Sequence, residues 1–250
     1  MNHLRLFENF EIVDPIKYGE PLNNREITFL REYNVLCPEW ISKDDGYYYI
    51  FDHRCENIKD LPETYIHAVC RKYDIRRYTI KDYSLQVDGN VYMENEDFTK
   101  IPLKFISVSG HFLCGYNQLK TLEGSPEYVG GSFGCSNNKL TSLEGGPKKV
   151  DGGFNCSDNQ LTTLEGSPEY TKLGFFCSCN KLTTLVDGPL RVGKDFVCSN
   201  NRLTTLVGAP KYVGGDIICY NNPLVSTRYK GNPSRLGGGR IHYPKILSNR

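Results

Sequence analysis

The chain has 250 residues with 30 Lys/Arg and 29 Asp/Glu, a formal net charge of +1. So even a balance argues against an electrostatic nucleic-acid binder, and no apolar run approaches the ~20 residues that span a bilayer. Its 24 Gly and 17 Tyr favour turns and strands over helices. Charge is nevertheless segregated, because the stretch from Leu224 to Arg250 holds six Lys/Arg and no Asp/Glu.

The opening MNHLRLFENF has one Arg and no apolar core of signal-peptide length, so a cytoplasmic protein is expected. Its ten cysteines then sit in a reducing compartment, where disulfides are disfavoured. The same opening resembles the start M-x-x-L-x-L-F-E-x-F of many bacteriophage-encoded proteins, which implies a phage or bacterial source.

NNREITFLREY has helical spacing at Ile27, Leu30 and Tyr33 after an Asn-rich start. DDGYYYIFD offers a turn at Asp45-Gly46 and then an aromatic strand. DLPETYIHAVCRKY carries Pro near a helix start and an apolar stripe at Leu61, Tyr65, Ile66, Val69 and Tyr73. Residues 1–88 are therefore expected to form a mostly helical N-terminal cap with some short strands. Cys37, His53, Cys55, His67 and Cys70 fall in this segment, but their spacing matches no zinc motif, and neither metal nor cofactor is expected. An enzyme housed in residues 1–88 is the weakest of the functional alternatives.

From about residue 89 to 227 the chain repeats with a step of 21 residues. Each unit reads F-x-C-x-x-N-x-L-x-x-L, then Gly, Pro and usually Val. Cysteines stand at 114, 135, 156, 177, 198 and 219, and Asn at 117, 138, 159, 180, 201 and 222. A worn unit precedes these, with Val91, Met93, Phe98, Ile101, Val108 and Gly110 in the same phases. A period of this length is the mark of a solenoid, in which one coil cannot bury its apolar side alone. In SFGCS, alternation turns Phe133 and Cys135 inward and Ser132, Gly134 and Ser136 outward. The Asn after the strand acts as a backbone substitute, its amide pairing with peptide groups of its own coil and the next.

At these residues the chain resembles the leucine-rich-repeat family, and within it the short repeats of secreted bacterial effectors. The resemblance implies an α+β solenoid with a parallel β-sheet on its concave face, and protein–protein recognition there. Effector repeats carry Pro just after the second Leu, where this chain has Glu123, Glu144 or Val186, and Thr171 replaces Val in one unit. The cysteines form a line and cannot surround one metal ion; they read as small core hydrophobes.

Residues 228–250 form a basic, Gly-rich tail that either closes the last coil or binds a partner. No P-loop, G-x-S-x-G or Gly-rich turn opening a helix is present, so no catalytic residue is assigned. The expected partner is another protein, a host factor if the source is a phage, with nucleic acid disfavoured except through the tail and no membrane. The alternative is a structural virion or assembly component. The candidate recognition site is the outward strand column Phe176, Val197 and Ile218, with Asp195 and Asp216 beside it and Ser178, Ser199 and Tyr220 on the other side.

Overall fold

The computed structural model describes residues 20–44, 47–50, 53–225 and 240–243. The opening ten residues, the Asp45-Gly46 turn and most of the tail, including Lys245 and Ile246, lie outside the described residues. No helix among the described residues is long and apolar enough to cross a membrane.

Helix α1 (Asn24–Glu32) starts where its sequence can pay for orphan N–H groups. Asn23 Oδ1 accepts from the Arg25 and Glu26 amides at 2.9 and 3.1 Å, and Glu26 accepts from the Asn23 amide at 2.9 Å. The other oxygen of Glu26 accepts from Lys43 Nζ and the Tyr48 hydroxyl, fixing the helix to a sheet. Helix α2 (Leu61–Lys72) buries the expected stripe of Leu61, Tyr65, Ile66 and Val69. The N-terminal region is not mostly helical, however. Glu20–Pro21, Ile41–Asp44, Tyr47–Ile50 and His53–Cys55 form a four-stranded antiparallel sheet beside the helices. Strands this short, three of them carrying a charged residue, show too little alternation to be read as a sheet in advance.

This region packs on the first coil. The Tyr65 hydroxyl, fully buried, donates to the Pro102 carbonyl at 2.7 Å, and Trp40 and Tyr73 rest their rings on Phe98.

The rest is a parallel solenoid, but with two sheets rather than the single one expected. The first sheet runs through Tyr128–Val129, Lys149–Val150, Tyr170–Thr171, Arg191–Val192 and Tyr212–Val213. It begins before residue 89, since Ser84–Val87 pairs parallel with Phe105–Val108 and antiparallel with Tyr78–Lys81. The second sheet runs through Val91–Tyr92, Phe112–Leu113, Phe133–Gly134, Phe154–Asn155, Phe175–Phe176, Phe196–Val197 and Ile217–Ile218, and ends at Ile241–His242. Three residues join the two strands of a coil, and from Tyr128 to Ile218 each strand is two residues long.

From Val91 to Ile218 the register recurs at a step of 21 residues, so like stacks on like. Phe112, Phe133, Phe154, Phe175 and Phe196 form one continuous stack with ring centroids 5.1–5.8 Å apart. The six repeat cysteines are free and fully buried beside them, and the worn unit's Val91, Met93, Phe98, Ile101 and Val108 line the same interior. The Asn amides are bonded as a ladder, but to the preceding coil rather than the next. Asn159 Nδ2 donates to the carbonyls of Cys135, Cys156 and Ser157, and its Oδ1 accepts from the Leu140 amide. Asn138, Asn180, Asn201 and Asn222 repeat this pattern.

The residue before each ladder Asn is left-handed: Tyr116, Asn137, Asp158, Cys179, Asn200 and Asn221 have φ of 53–57°. Asn and Asp tolerate that conformation, whereas Tyr116 and Cys179 adopt it at about 1 kcal/mol each. Cys179 is also the one exposed thiol among the ten. Burial raises the pKa of the ladder thiols far above the ordinary cysteine range at Cys135, Cys156 and Cys198, and to about 11 at Cys219. Native protein should therefore give one fast equivalent with a thiol reagent, lost in Cys179→Asn, and ten after denaturation. Fast labelling of Cys156 in the native state would contradict the inward assignment.

Candidate functional site

The outward column of the second sheet reads Tyr92, Leu113, Gly134, Asn155, Phe176, Val197, Ile218 and His242, in register from rung to rung. Phe176, Val197 and Ile218 stand together as three large apolar side chains on consecutive rungs. Rungs of a parallel sheet lie ~4.8 Å apart, so the three make one patch. Phe176 is 37 % exposed, and Val197 and Ile218 are partly exposed. The Phe176 ring lies back over Gly174, where an added Cβ would meet its Cζ at 2.6 Å. Gly174 thus sets the ring's position, which the sequence column alone does not reveal.

The rim is less free than the sequence suggests. Asp195 Oδ1 accepts from the Asp216 amide at 2.8 Å, and Asp216 Oδ1 accepts from the Arg240 amide at 2.7 Å. These carboxylates fasten one rung to the next, as Asn90 Oδ1 and His111 Nδ1 do for the His111 and Ser132 amides earlier in the same column. Ser199 is buried and donates to the Ile218 carbonyl, and Ser178 Oγ is enclosed without a partner among the described residues. Of the polar and aromatic rim, Tyr220 is the open member, at 43 %.

Residues 240–243 belong to the tail, and they close the last coil rather than stand free. They continue the sheet as a further rung, with Ile241 paired to Ile217 and His242 to Ile218. His242 Nε2 lies 2.8 Å from Asp216 Oδ2, and its ring faces Tyr220 at 6.0 Å. The patch is thereby extended and given a polar end.

Bonds to the Arg240 amide and to His242 hold the Asp216 carboxyl below the ordinary aspartate range. A carboxyl depressed in the folded state contributes stability that is present above its unfolded pKa and is lost as pH falls through the lowered folded value. Acidification below the ordinary aspartate range should release the last rung first, read as protease cleavage near Arg240 before the coils unfold. The tail of Asp216→Asn should be cleaved with little dependence on pH, and a wild-type tail equally resistant at every pH would refute this.

In the N-terminal region, Cys37, His53, Cys55, His67 and Cys70 do not converge. Among the described residues, no group of three or more His, Cys, Asp or Glu is placed to hold a metal ion. His67 Nδ1 lies 2.6 Å from the Tyr78 hydroxyl, beside a cavity of about 410 Å³ that Cys70 also lines. Burial raises the Cys70 thiol to about 12 and the Tyr78 hydroxyl to about 12, so both are protonated at neutral pH. That electrostatic setting opposes a nucleophilic thiol.

No protein-family model, no curated protein and no solved structure matches the chain.

Proposed function

We propose that this solenoid is a non-catalytic recognition module that binds a partner protein on the outer face of its second sheet. The observation that carries the reading is the Phe176–Val197–Ile218 patch: an apolar centre on a rigid, fully paired sheet, bounded by Tyr220 and by polar groups. Such an arrangement has the anatomy of an interface hot spot, because rigid anchors lose little entropy on binding. The protonated Cys70 thiol supports the non-catalytic reading. The repeated F-x-C-x-x-N-x-L-x-x-L unit and the Asn ladder support kinship with leucine-rich repeats, while the second sheet argues for a different coil outline. If the chain is phage-encoded, the partner is a host protein in the cytoplasm.

Val197→Glu tests this directly. The side chain faces solvent, so the melting temperature should move little, whereas capture of the partner, followed by affinity purification with mass spectrometry, should be lost. Unchanged capture would remove the patch from the interface. Co-purification with particles instead of a soluble protein would favour the structural virion or assembly role.

A further inference from the structure

The first sheet presents a different face. Its outward column alternates ring and cation on five consecutive rungs: Tyr128, Lys149, Tyr170, Arg191, Tyr212. Val129, Val150, Thr171, Val192 and Val213 point inward between them and are fully buried, so the core fixes which column faces outward. Lys149 Nζ stands 5.0 Å from the Tyr128 ring centre, and the Arg191 guanidinium 5.1 Å from that of Tyr212. Tyr170 is 41 % exposed and the Lys149 side chain 65 %. Among the described residues, Arg191 has no carboxylate within ion-pair distance. Lys149 has only Asp151 at 4.0 Å, which Lys172 approaches more closely at 3.4 Å. Both cations are thus positioned by rings; Arg191 lacks a counter-charge among the described residues, and Lys149 shares the Asp151 carboxylate with Lys172 and the Tyr128 hydroxyl.

Rungs ~4.8 Å apart bring each kind of side chain back at roughly 9.5 Å. An extended β-linked glycan turns over at every sugar, and its disaccharide advances by a similar length. Aromatic faces stack on the C–H face of a sugar, and Lys and Arg bind carboxylates through charge-assisted hydrogen bonds. With a neutral sugar stacked on Tyr170 and its neighbours over the edges of Tyr128 and Tyr212, whose faces the cations cover, one uronate per disaccharide falls on Lys149 and Arg191. We propose that the first sheet binds an extended acidic polysaccharide carrying one carboxylate per disaccharide. Single-stranded nucleic acid fits this strip less well, because it brings a phosphate and a base at every step, whereas ring and cation here alternate.

The test titrates hyaluronan tetra-, hexa- and decasaccharides into the full chain by calorimetry, with chitohexaose, oligothymidine and polyglutamate as comparisons. The hexasaccharide should bind, the tetrasaccharide about tenfold more weakly, and the decasaccharide no tighter per site, because the strip holds five sugars. Tyr170→Ala and Arg191→Ala should each weaken the hexasaccharide about tenfold with melting unchanged, and Tyr170→Phe should restore it. If Tyr170→Ala disturbs folding, Arg191→Ala decides alone. Val197→Glu, on the other sheet, should leave glycan binding intact, so this idea and the protein-binding patch fail separately. The proposal is overturned by no hexasaccharide binding, by equal binding of chitohexaose or polyglutamate, or by insensitivity to these substitutions. Tighter binding of oligothymidine would also overturn it and would assign the strip to nucleic acid.

Discussion

Phe154→Ala should lower the unfolding free energy by about 3–5 kcal/mol, at the upper end for a single side chain. Phe154 is fully buried and packs between Phe133 at 5.2 Å and Phe175 at 5.1 Å. Those neighbours cannot slide in to fill the void, because their backbones are held at rung spacing by Phe133–Phe154 and Phe154–Phe175 pairing. The cost of a cavity is greatest where relaxation is blocked. Each coil touches only its neighbours, so the loss falls on two interfaces in mid-stack. Denaturant titration measures it, and Phe154→Leu should recover most of the difference. A loss below about 1 kcal/mol would mean that the stack is not continuous in solution.

Asn159→Ala should cost about 1–3 kcal/mol by leaving buried backbone groups unpaired. Its two amide hydrogens are shared among three carbonyls, at 2.9, 3.2 and 3.2 Å, and its oxygen accepts one bond at 3.0 Å. Asn159→Asp is the sharper variant. It keeps the acceptor but turns a carboxylate toward the carbonyl oxygens of Cys135, Cys156 and Ser157, so at neutral pH it should be worse than Ala. Asn222 has an equivalent set of bonds, yet Asn222→Ala should register less on global unfolding, because an end coil can open on its own. Equal shifts for positions 159 and 222, or Asp tolerated as well as Asn, would count against the ladder.

The coil was legible in the sequence because burial of one face enforces its pattern. Phe133 and Cys135 must share a side of the strand, and the next unit must present Phe154 and Cys156 in the same place. The start of α1 was legible for a similarly local reason, since Asn23 supplies the cap. The first sheet was not legible, because Tyr-Val is too short to alternate and Val reads equally well as any core residue. The tail strand was hidden by a change of phase: Ile241 follows its partner Ile217 by 24 residues rather than by the repeat's 21. At the candidate site, alternation identified the outward residues Phe176, Val197 and Ile218. It could not show that Asp195 and Asp216 are engaged by amides of the following rung, since that contact is between residues far apart along the chain. The ring and cation alternation on the first sheet recurs only at every second unit, so a unit-by-unit comparison passes over it.

A stack whose members are nearly alike carries a hazard of assembly. A newly made coil can dock one place too far along, looping out its neighbour, and still fill the Phe, Cys and Asn columns. Bonds that reach back to the preceding coil do not prevent this, since every preceding coil offers the same carbonyls. What marks the true order are the misfits: Thr171 among valines, Tyr116 and Cys179 among Asn and Asp, and Asp187 at φ 64° where neighbouring coils have Gly166 and Gly208. Each weakens its own coil slightly and makes it distinguishable. Smoothing them to the consensus would strengthen the individual coils while erasing the serial numbers by which the chain counts them.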